Sequence, residues 1–363
     1  MLRENFDEGF VSLTVMRLST KANSQFAWSG FDDFLLRGAR LDGDLVGCHM
    51  VIITVIKLFC DIMNNSMSVK NKQKKVLITG RNSYVGKSVK SYLLKKYGGM
   101  YEIDQISVRG EEWKKSDFSR YDVIYHVAGI AHSDNGKISK EKEQLYYRVN
   151  TDLTGEVARK AKADGVSQFI FMSSAIVYGD SAKIGKDKII RRNTKPSPKN
   201  CYGDSKLKAE EQVERLADSK FKTVIIRSPM IYGKGCKGNF AMLVKMAKKL
   251  PIFPYVENRR SMIYIDNLAE FIHQVIQNND SGMFWPANKE YVNTSSLIKE
   301  IGMVEGKRIR LVKGFTWFLK FLSIFSALPT KAFGNLRYEK SLTEYGDGYQ
   351  TVSFEKSISE AVK

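Results

Sequence analysis

The chain has 363 residues, of which 43% are hydrophobic and 27% are charged, an ordinary globular composition. This length is sufficient for a large buried core and for one to three domains. The 58 Lys and Arg residues outnumber the 39 Asp and Glu residues, which gives a formal net charge of +19. Because no nucleic-acid recognition motif accompanies this charge, we expect no nucleic-acid partner. A solvated basic surface is expected, with an anionic substrate or an acidic membrane surface as alternatives.

Residues 1–66 differ from the rest of the chain and form a predicted N-terminal extension that is helical or partly disordered. Its apolar stretch, from Leu45 to Met63, is interrupted by His49 and Lys57. The stretch therefore falls short of the ~20 apolar residues that a membrane span requires, and it predicts a buried or membrane-surface helix. The acidic first residues argue against a secretory signal peptide.

The cysteines show neither C-x-x-C spacing nor a histidine partner at metal-ligand spacing. We therefore predict reduced thiols, no metal site and a cytoplasmic protein, with the inner face of the membrane as an alternative location. The four residues are Cys48, Cys60, Cys201 and Cys236.

From Lys74 onward, short apolar strands alternate with amphipathic helices. Strands are predicted at residues 76–78, 106–108, 122–127, 168–172 and 223–226. Helices are predicted at residues 84–97, 140–164 and 202–217. This alternation indicates an α/β fold with a doubly wound parallel sheet, whose ligands bind at the carboxyl ends of the strands. We assign residues 67–226 to this domain and residues 227–363 to a smaller, mixed α/β substrate lobe interleaved with it.

A second apolar segment lies near the C-terminus, from Phe315 to Leu328. It is apolar on nearly all sides except for Lys320 and two serines. Such a pattern predicts a buried helix, and a partner-binding or membrane-surface helix is the alternative.

A glycine-containing turn lies between the first predicted strand and its helix, which is the context that a dinucleotide-binding fingerprint requires. Five residues separate its outer glycines, whereas a P-loop has four, so the P-loop is excluded. Glycines let the backbone approach a pyrophosphate, and the helix N-terminus stabilises the phosphate charge. The predicted cofactor-binding residues of this turn are Gly80, Ser83, Tyr84, Val85 and Gly86.

Three polar side chains are predicted to meet where the strand at residues 168–172 ends. Ser174 follows that strand, and Tyr202 and Lys206 lie four residues apart at the start of a helix. Residues at this spacing share one face of a helix and lie within reach of each other. A hydroxyl, a phenol and an ammonium at a strand end indicate a proton-transfer site beside a hydride acceptor.

The segments TGRNSYVG, DVIYHVAG, FMSSAIVYG and YGDSK have the order and spacing of the extended short-chain dehydrogenase/reductases. From about Lys75 to Val352 the chain resembles the NAD-dependent epimerase/dehydratase branch of that superfamily. Two further segments, RSPMIYGKGCKGNF and NRRSMIYIDNLAEFI, resemble its UDP-glucose 4-epimerase-like subgroup. The resemblance implies a Rossmann-type domain, a nucleotide-sugar substrate, an NAD cofactor, a homodimer and a role in cell-surface polysaccharide synthesis.

The resemblance also implies roles for individual residues. Tyr202 is expected to act as general base, Lys206 to favour its phenolate and hold the nicotinamide ribose, and Ser174 to orient the sugar hydroxyl. Arg260 is expected to bind the diphosphate and Asn239 to contact the substrate. The further expected cofactor contacts are Asp117, Val127, Ala128, Gly129 and Pro229.

The end of the second predicted strand departs from the family pattern. A carboxylate there normally holds the adenosine ribose hydroxyls, but this sequence has Arg109 between Val108 and Gly110. Arg109 is suited to a 2′-phosphate, so NADP stays open as the cofactor.

The two residues after Ser174 reduce the number of reactions that the site could catalyse. A 4,6-dehydratase requires an acidic pair there, whereas this chain has Ala175 and Ile176. A 4-epimerase acting through a transient 4-keto sugar is therefore the main hypothesis. An NADPH-dependent 4-keto-sugar reductase and a non-catalytic dinucleotide-binding module are the alternatives.

Overall fold

Six parallel strands form the central sheet, in the order β2–β1–β3–β4–β6–β10. The computed structural model describes residues 73–130 and 138–363, so the predicted extension at residues 1–66 lies outside the described residues. The α/β prediction with a parallel sheet is confirmed. The strands are β1 (Lys74–Thr79), β2 (Tyr101–Ile106), β3 (Val123–His126), β4 (Gln168–Ser174), β6 (Lys222–Ser228) and β10 (Gly282–Phe284).

Side chains that alternate along the strands enter two apolar clusters, one on each face of the sheet. Val76 and Ile78 of β1 belong to one cluster and Leu77 to the other. Two faces buried in this way require helices on both sides, as in a doubly wound fold. One face is covered by α1 (Tyr84–Tyr97) and α6 (Ile265–Gln277), and the other by α3 (Leu153–Ala163) and α4 (Cys201–Glu214).

The second strand was predicted at the wrong residues. It spans Tyr101–Ile106 rather than 106–108, in register with β1 from Lys74 to Thr79. The strand lies at the edge of the sheet, and polar residues alternate with the buried Tyr101 and Ile103. Because an edge strand needs no continuous apolar run, its sequence did not resemble the buried strands.

The helical segment predicted at residues 140–164 is present with one irregularity. It consists of α2 (Lys140–Tyr147), a π-helical turn at Arg148–Asp152, and α3. Such π turns are frequent at functional sites because they redirect side chains from the regular helical face.

The C-terminal part of the chain adds three two-stranded parallel sheets and returns once to the central sheet through β10. Its strands are β7 (Met230–Tyr232), β8 (Ile252–Pro254), β9 (Met262–Tyr264), β11 (Arg310–Val312) and β12 (Arg337–Tyr338), with β5 (Ile189–Ile190) pairing with β12. Its remaining helices are α5 (Asn239–Lys249), α7 (Thr294–Val304), α8 (Thr316–Phe325), α9 (Leu328–Phe333), α10 (Lys340–Thr343) and α11 (Phe354–Val362).

The prediction that Phe315–Leu328 forms a buried helix is wrong. Helix α8 occupies this segment, but none of its residues is buried, and Trp317 is 72% exposed. Hydrophobicity alone indicated a core helix, whereas the fold leaves this helix at the surface. Across the described ranges, no helix has the length and apolar character needed to cross a membrane.

Candidate active site

The three predicted catalytic residues come together at the carboxyl end of β4. Ser174 is the last residue of that strand, and Tyr202 lies in the first turn of α4. Asn200 caps this helix by accepting a hydrogen bond from the Gly203 N–H at 2.8 Å. A side chain at Gly203 would start 2.9 Å from the Ile176 carbonyl oxygen, so a glycine here lets the helix approach the strand end.

The phenol of Tyr202 is hydrogen-bonded to the Ser174 hydroxyl. Burial raises the pKa of Tyr202, while the bond to Ser174 acts in the opposite direction. The ring of Tyr146 packs beside it, with centroids 6.0 Å apart. In the chain alone, the phenol is therefore protonated at neutral pH and already bound to the hydroxyl that would orient a sugar.

The Lys206 ammonium is buried and donates to the Met172 carbonyl oxygen at 3.0 Å. Burial lowers the pKa of Lys206 to about 8, although the nearby Glu210 carboxylate partly offsets this effect. The expectation was that Lys206 would favour the Tyr202 phenolate. In this structure, the burial effect on the Tyr202 pKa dominates.

The glycine-containing turn has the shape of a dinucleotide cradle. Gly80 has a φ of +102°, and a side chain there would start 3.0 Å from the Ala128 backbone nitrogen. Ser83 caps α1 by accepting a hydrogen bond from the Gly86 N–H at 3.3 Å, and the first turn of α1 carries no acidic residue. An open backbone and an acid-free helix N-terminus fit a pyrophosphate.

The remaining residues of the turn pack inward. Tyr84 and Val85 lie against the apolar cluster below the sheet edge. Gly86 is buried, and a side chain there would start 3.0 Å from both Ile78 and Val127. Gly86 therefore allows the close packing of helix on sheet that the third glycine of such fingerprints provides.

The residues after β3 border Lys206, one of the three predicted catalytic residues. Val127, Ala128 and Gly129 follow the strand, and a side chain at Gly129 would start 3.2 Å from the Lys206 ammonium. This close approach places the predicted cofactor-binding turn against the predicted proton-transfer group.

Asn150, which the sequence did not indicate, fixes that turn. It lies in the π-helical turn, accepts from the Ile130 N–H at 2.8 Å and donates to the Ser205 hydroxyl at 3.1 Å. A regular helix would have given no reason to single out this residue. The sequence carries no separate signal for it, because the pattern of residues 140–164 predicts one continuous helix.

The two other predicted adenosine contacts are exposed. Arg109 follows β2, and no salt bridge joins it to an acidic residue of the described ranges. Asp117 accepts hydrogen bonds from the backbone and hydroxyl of Ser119, at 2.8 and 2.6 Å, and these bonds lower the pKa of Asp117. Arg109 is thus available to a ligand, whereas Asp117 stabilises a local turn.

A buried ion pair lies beneath the carboxyl end of β4. The Arg227 guanidinium donates to both Glu210 carboxylate oxygens, at 3.2 and 3.1 Å from Nε and 2.7 Å from Nη2. The Ser173 hydroxyl donates to the same carboxylate, and Arg227 Nη1 donates to the Tyr178 hydroxyl at 2.6 Å. These contacts rigidify the strand that presents Ser174.

This ion pair was missed although the sequence contained a signal for it. Tyr202, Lys206 and Glu210 follow one another at four-residue intervals, so all three lie on one face of α4. An acidic residue in line with two expected catalytic residues predicts a buried charge partner, which proves to be Arg227.

A small cavity opens beside Ala175, the residue that directly follows Ser174. Arg260 lines it together with Pro229 and Met230, whereas Asn239 is an exposed residue at the start of α5 and does not line it. The other lining residues are Ala175, Ser261, Leu336 and Tyr338.

Arg260 has the surroundings of an anion-binding group. Its Nη1 donates to the carbonyl oxygens of Lys331 and Ala332 near the end of α9. Burial lowers the pKa of Arg260 to about 10. No carboxylate within residues 73–130 or 138–363 forms a salt bridge with Arg260. A desolvated guanidinium without a counter-ion favours a negatively charged ligand.

The parallel sheet, the glycine-containing turn and the acid-free helix N-terminus are those of a dinucleotide-binding α/β protein. The sequence model of the NAD dependent epimerase/dehydratase family matches residues 76–284, and the chain belongs to this family. It is therefore an enzyme whose cofactor is a nicotinamide dinucleotide.

Two curated relatives are epimerases. The chain is 31% identical to UDP-glucose 4-epimerase of Vibrio cholerae over 260 residues, covering 64% of this chain and 76% of that protein. It is 30% identical over 216 residues to N-acetyl-alpha-D-glucosaminyl-diphospho-ditrans,octacis-undecaprenol 4-epimerase of Escherichia coli O157:H7, covering 57% of this chain and 62% of that protein.

Solved structures share the fold at lower identity. UDP-glucuronic acid 4-epimerase from Bacillus cereus, in complex with NAD, aligns with a TM-score of 0.60 and 20% identity, covering 79% of this chain and 98% of that one. The structure of dTDP-4-dehydrorhamnose reductase from Bacillus anthracis, in complex with NADP, aligns with a TM-score of 0.59 and 19% identity. The alignment covers 80% of this chain and 99% of that one.

Proposed function

We propose that the protein is an NAD-dependent 4-epimerase of a diphosphate-linked hexose or N-acetylhexosamine, with a UDP-sugar as the first substrate to test. The observation that carries this proposal is the hydrogen-bonded Ser174–Tyr202 pair beside the cavity lined by Arg260. The two curated relatives, which are named as 4-epimerases, support the reaction type.

Each catalytic side chain has one task in this proposal. Tyr202 removes the proton of the sugar 4-hydroxyl and later returns it, while Ser174 orients that hydroxyl through its own hydrogen bond. Lys206 supplies a nearby positive charge that favours the phenolate. A bound nicotinamide supplies the acceptance and return of a hydride at the same carbon.

Arg260 would hold the diphosphate of the substrate. Its guanidinium can form two parallel hydrogen bonds to phosphate oxygens, and this geometry fixes orientation as well as adding charge. Ala175 and Met230 place apolar surface around the sugar. With no acid at Ala175 or Ile176, the proposal contains no dehydration step.

A 4-keto-sugar reductase remains the second candidate. The exposed Arg109 at the end of β2 is suited to the 2′-phosphate of NADPH, which a reductase consumes. The fold supports both reactions, because an epimerase and a reductase are among its structural neighbours. In either case, we propose a homodimeric cytoplasmic enzyme that serves polysaccharide synthesis.

Proton NMR of the sugar anomeric signals tests the first candidate. Purified protein mixed with UDP-glucose or UDP-N-acetylglucosamine is expected to yield the 4-epimer without added nucleotide. Tyr202→Phe should reduce turnover at least 100-fold, in the range that loss of general acid–base catalysis causes. Tyr97→Phe is the matched control, because its phenol bonds Glu270 at the interface of α1 and α6.

Two results would contradict the proposal. Full turnover by Tyr202→Phe would exclude the mechanism, since the proposal assigns the proton transfer to the Tyr202 phenol. Stoichiometric NADPH consumption with a 4-keto sugar, without any epimer from a UDP-sugar, would replace the epimerase by the reductase.

A further inference from the structure

Helix α8 presents an apolar stripe to solvent. Trp317 and Ile324 are 72% and 74% exposed, and Phe321 and Leu328 are each 52% exposed. Spacings of four and three residues place Trp317, Phe321 and Ile324 along one face of α8, and the exposed Leu328 begins α9 just after it. Helices at a protein surface normally turn their apolar face to the core. Because α8 turns its apolar face to solvent instead, we expect an apolar partner to cover it.

The segment that contains the stripe is basic. From Gly306 to Tyr338 the chain has no Asp or Glu. The basic residues of this segment are Lys307, Arg308, Arg310, Lys313, Lys320, Lys331 and Arg337. An acid-free run of this kind is attracted to anionic surfaces.

A neighbouring loop extends the basic surface. The Lys320 ammonium lies 3.1 Å from the point where a side chain at Gly185 would start. This loop, residues 181–188, also exposes Lys183 and Lys186, and its one acid, Asp187, is paired with Arg337 at 2.6 Å. The loop and α8 thus form one basic surface around the apolar stripe.

This surface is connected to the substrate cavity. Lys331 and Ala332 of α9, which follows α8, accept hydrogen bonds from Arg260. The backbone of Ala182 in the loop donates to the Asn335 carbonyl at 2.9 Å. Whatever covers α8 therefore lies beside the diphosphate-binding side of the cavity.

We propose that α8 and the loop at residues 181–188 dock on the surface of an anionic lipid bilayer. The apolar stripe enters the headgroup–acyl boundary with Trp317 at the interface, and the lysines bind anionic headgroups. This inference rests on the surface alone and is independent of the reaction at the cavity.

Charge favours an anionic bilayer over two other occupants of this surface, a second copy of the chain and residues 1–72. In a two-fold dimer, the same patch meets itself, so the basic surface of one copy would meet the basic surface of the other. Residues 1–72 carry eight basic and eight acidic residues, so they bring no net negative charge to the patch. An anionic membrane satisfies both the apolar and the basic requirement.

Flotation of the full-length chain with vesicles tests the proposal. Vesicles of phosphatidylcholine alone are compared with vesicles containing roughly one quarter phosphatidylglycerol, at low and high salt. The double variant Trp317→Ala/Ile324→Ala removes the centre of the stripe, and Lys320→Glu reverses a charge beside it. The matched controls are Leu94→Ala/Met100→Ala, exposed on the α1 side, and Arg215→Glu, exposed at the far end of α4.

We expect salt-sensitive binding to the anionic vesicles only. The double variant should lower the bound fraction at least tenfold, and Lys320→Glu severalfold, with both controls unchanged and all melting temperatures retained. Absence of vesicle binding would overturn the proposal. So would wild-type binding by the double variant, which would assign membrane contact to another segment. Dissociation of a dimer by the double variant, without a change in vesicle binding, would identify a second copy as the occupant.

Discussion

The Nζ of Lys206 donates to the backbone carbonyl oxygen of Met172 at 3.0 Å, within the strand that ends at the Ser174 hydroxyl. A backbone carbonyl carries only partial negative charge, so it compensates incompletely for the removal of an ammonium from water. The result is a cation held in a site that lowers its pKa to about 8. Burying this cation therefore lowers the free energy of unfolding of the protein.

Replacing Lys206 should therefore stabilise the protein while inactivating it. A pKa reduced from 10.5 to about 8 corresponds to a penalty of ~3 kcal/mol at neutral pH, partly offset by the ~1 kcal/mol hydrogen bond that Lys206→Met loses. We expect the melting temperature to rise by several degrees and turnover to fall at least 100-fold. Differential scanning calorimetry measures the change in melting temperature. The control is Lys95→Met, because Lys95 is an exposed lysine of α1.

The stabilisation should depend on pH in one direction. Because the folded pKa lies below the unfolded value of 10.5, the penalty is complete below pH 8 and disappears as the pH rises toward 10.5. The gain of Lys206→Met should shrink over that interval. A gain that stays constant from pH 7 to 10 would show that packing, not charge, causes it.

His126 should make the protein sensitive to acid. Its ring is fully buried between the Thr79 and Thr154 hydroxyls, at 2.7 and 3.0 Å, and burial lowers its pKa to about 3. Since an unfolded histidine binds a proton near pH 6.5, stability should fall between pH 6.5 and 3, by at most ~1.4 kcal/mol per pH unit. Urea unfolding at several pH values gives the free energy of unfolding as a function of pH. This free energy should fall less steeply with decreasing pH for His126→Gln than for the wild type. An unchanged pH dependence would show that His126 does not cause the sensitivity to acid.

The Glu210–Arg227 pair should show strong coupling. Arg227→Met leaves the Glu210 carboxylate buried without its partner, and such a loss typically costs 3–5 kcal/mol. Adding Glu210→Gln should recover most of that loss, because the uncompensated charge is removed. Denaturant unfolding of the single and double variants measures the coupling, and the exposed Arg215–Glu211 pair provides a control cycle with an expected coupling below ~1 kcal/mol. Additive effects at Arg227 and Glu210 would contradict the interpretation.

Arg260 should act on the diphosphate and not on the sugar alone. Arg260→Lys keeps the charge but loses the two-point geometry, so we expect the KM of a UDP-sugar to rise at least tenfold. UDP should lose potency as a competitive inhibitor by a similar factor. Arg259→Ala is the matched control, because Arg259 is the exposed neighbour. Equal effects of the two variants would exclude specific diphosphate binding by Arg260.

The sequence predicted the buried strands and the helix that carries Tyr202 and Lys206 because their patterns are local. An apolar run such as residues 168–172 identifies a strand without knowledge of its neighbours, and the four-residue interval from Tyr202 to Lys206 identifies a shared helical face. The edge strand β2 was predicted at the wrong residues because only its position in the sheet explains its alternating polarity.

Other features depend on contacts between distant residues. Asn150 became relevant only when its side chain met Ile130, and Arg227 could be identified as the partner of Glu210 only in the folded structure. The exposure of α8 was predicted only as an alternative, because an apolar helix has the same sequence pattern in a core and at an exposed surface.

The pairing of β10 with β6 has a consequence for any attempt to divide the enzyme. Residues 282–284 complete a sheet whose other strands all precede residue 229, and Tyr232 and Phe240 belong to the same apolar cluster as Val76. A fragment ending near residue 226 would expose β6 as a bare, hydrophobic edge that invites intermolecular pairing. Such a fragment should aggregate rather than fold, and exchange of substrate specificity between relatives should therefore succeed through loops and not through whole C-terminal halves.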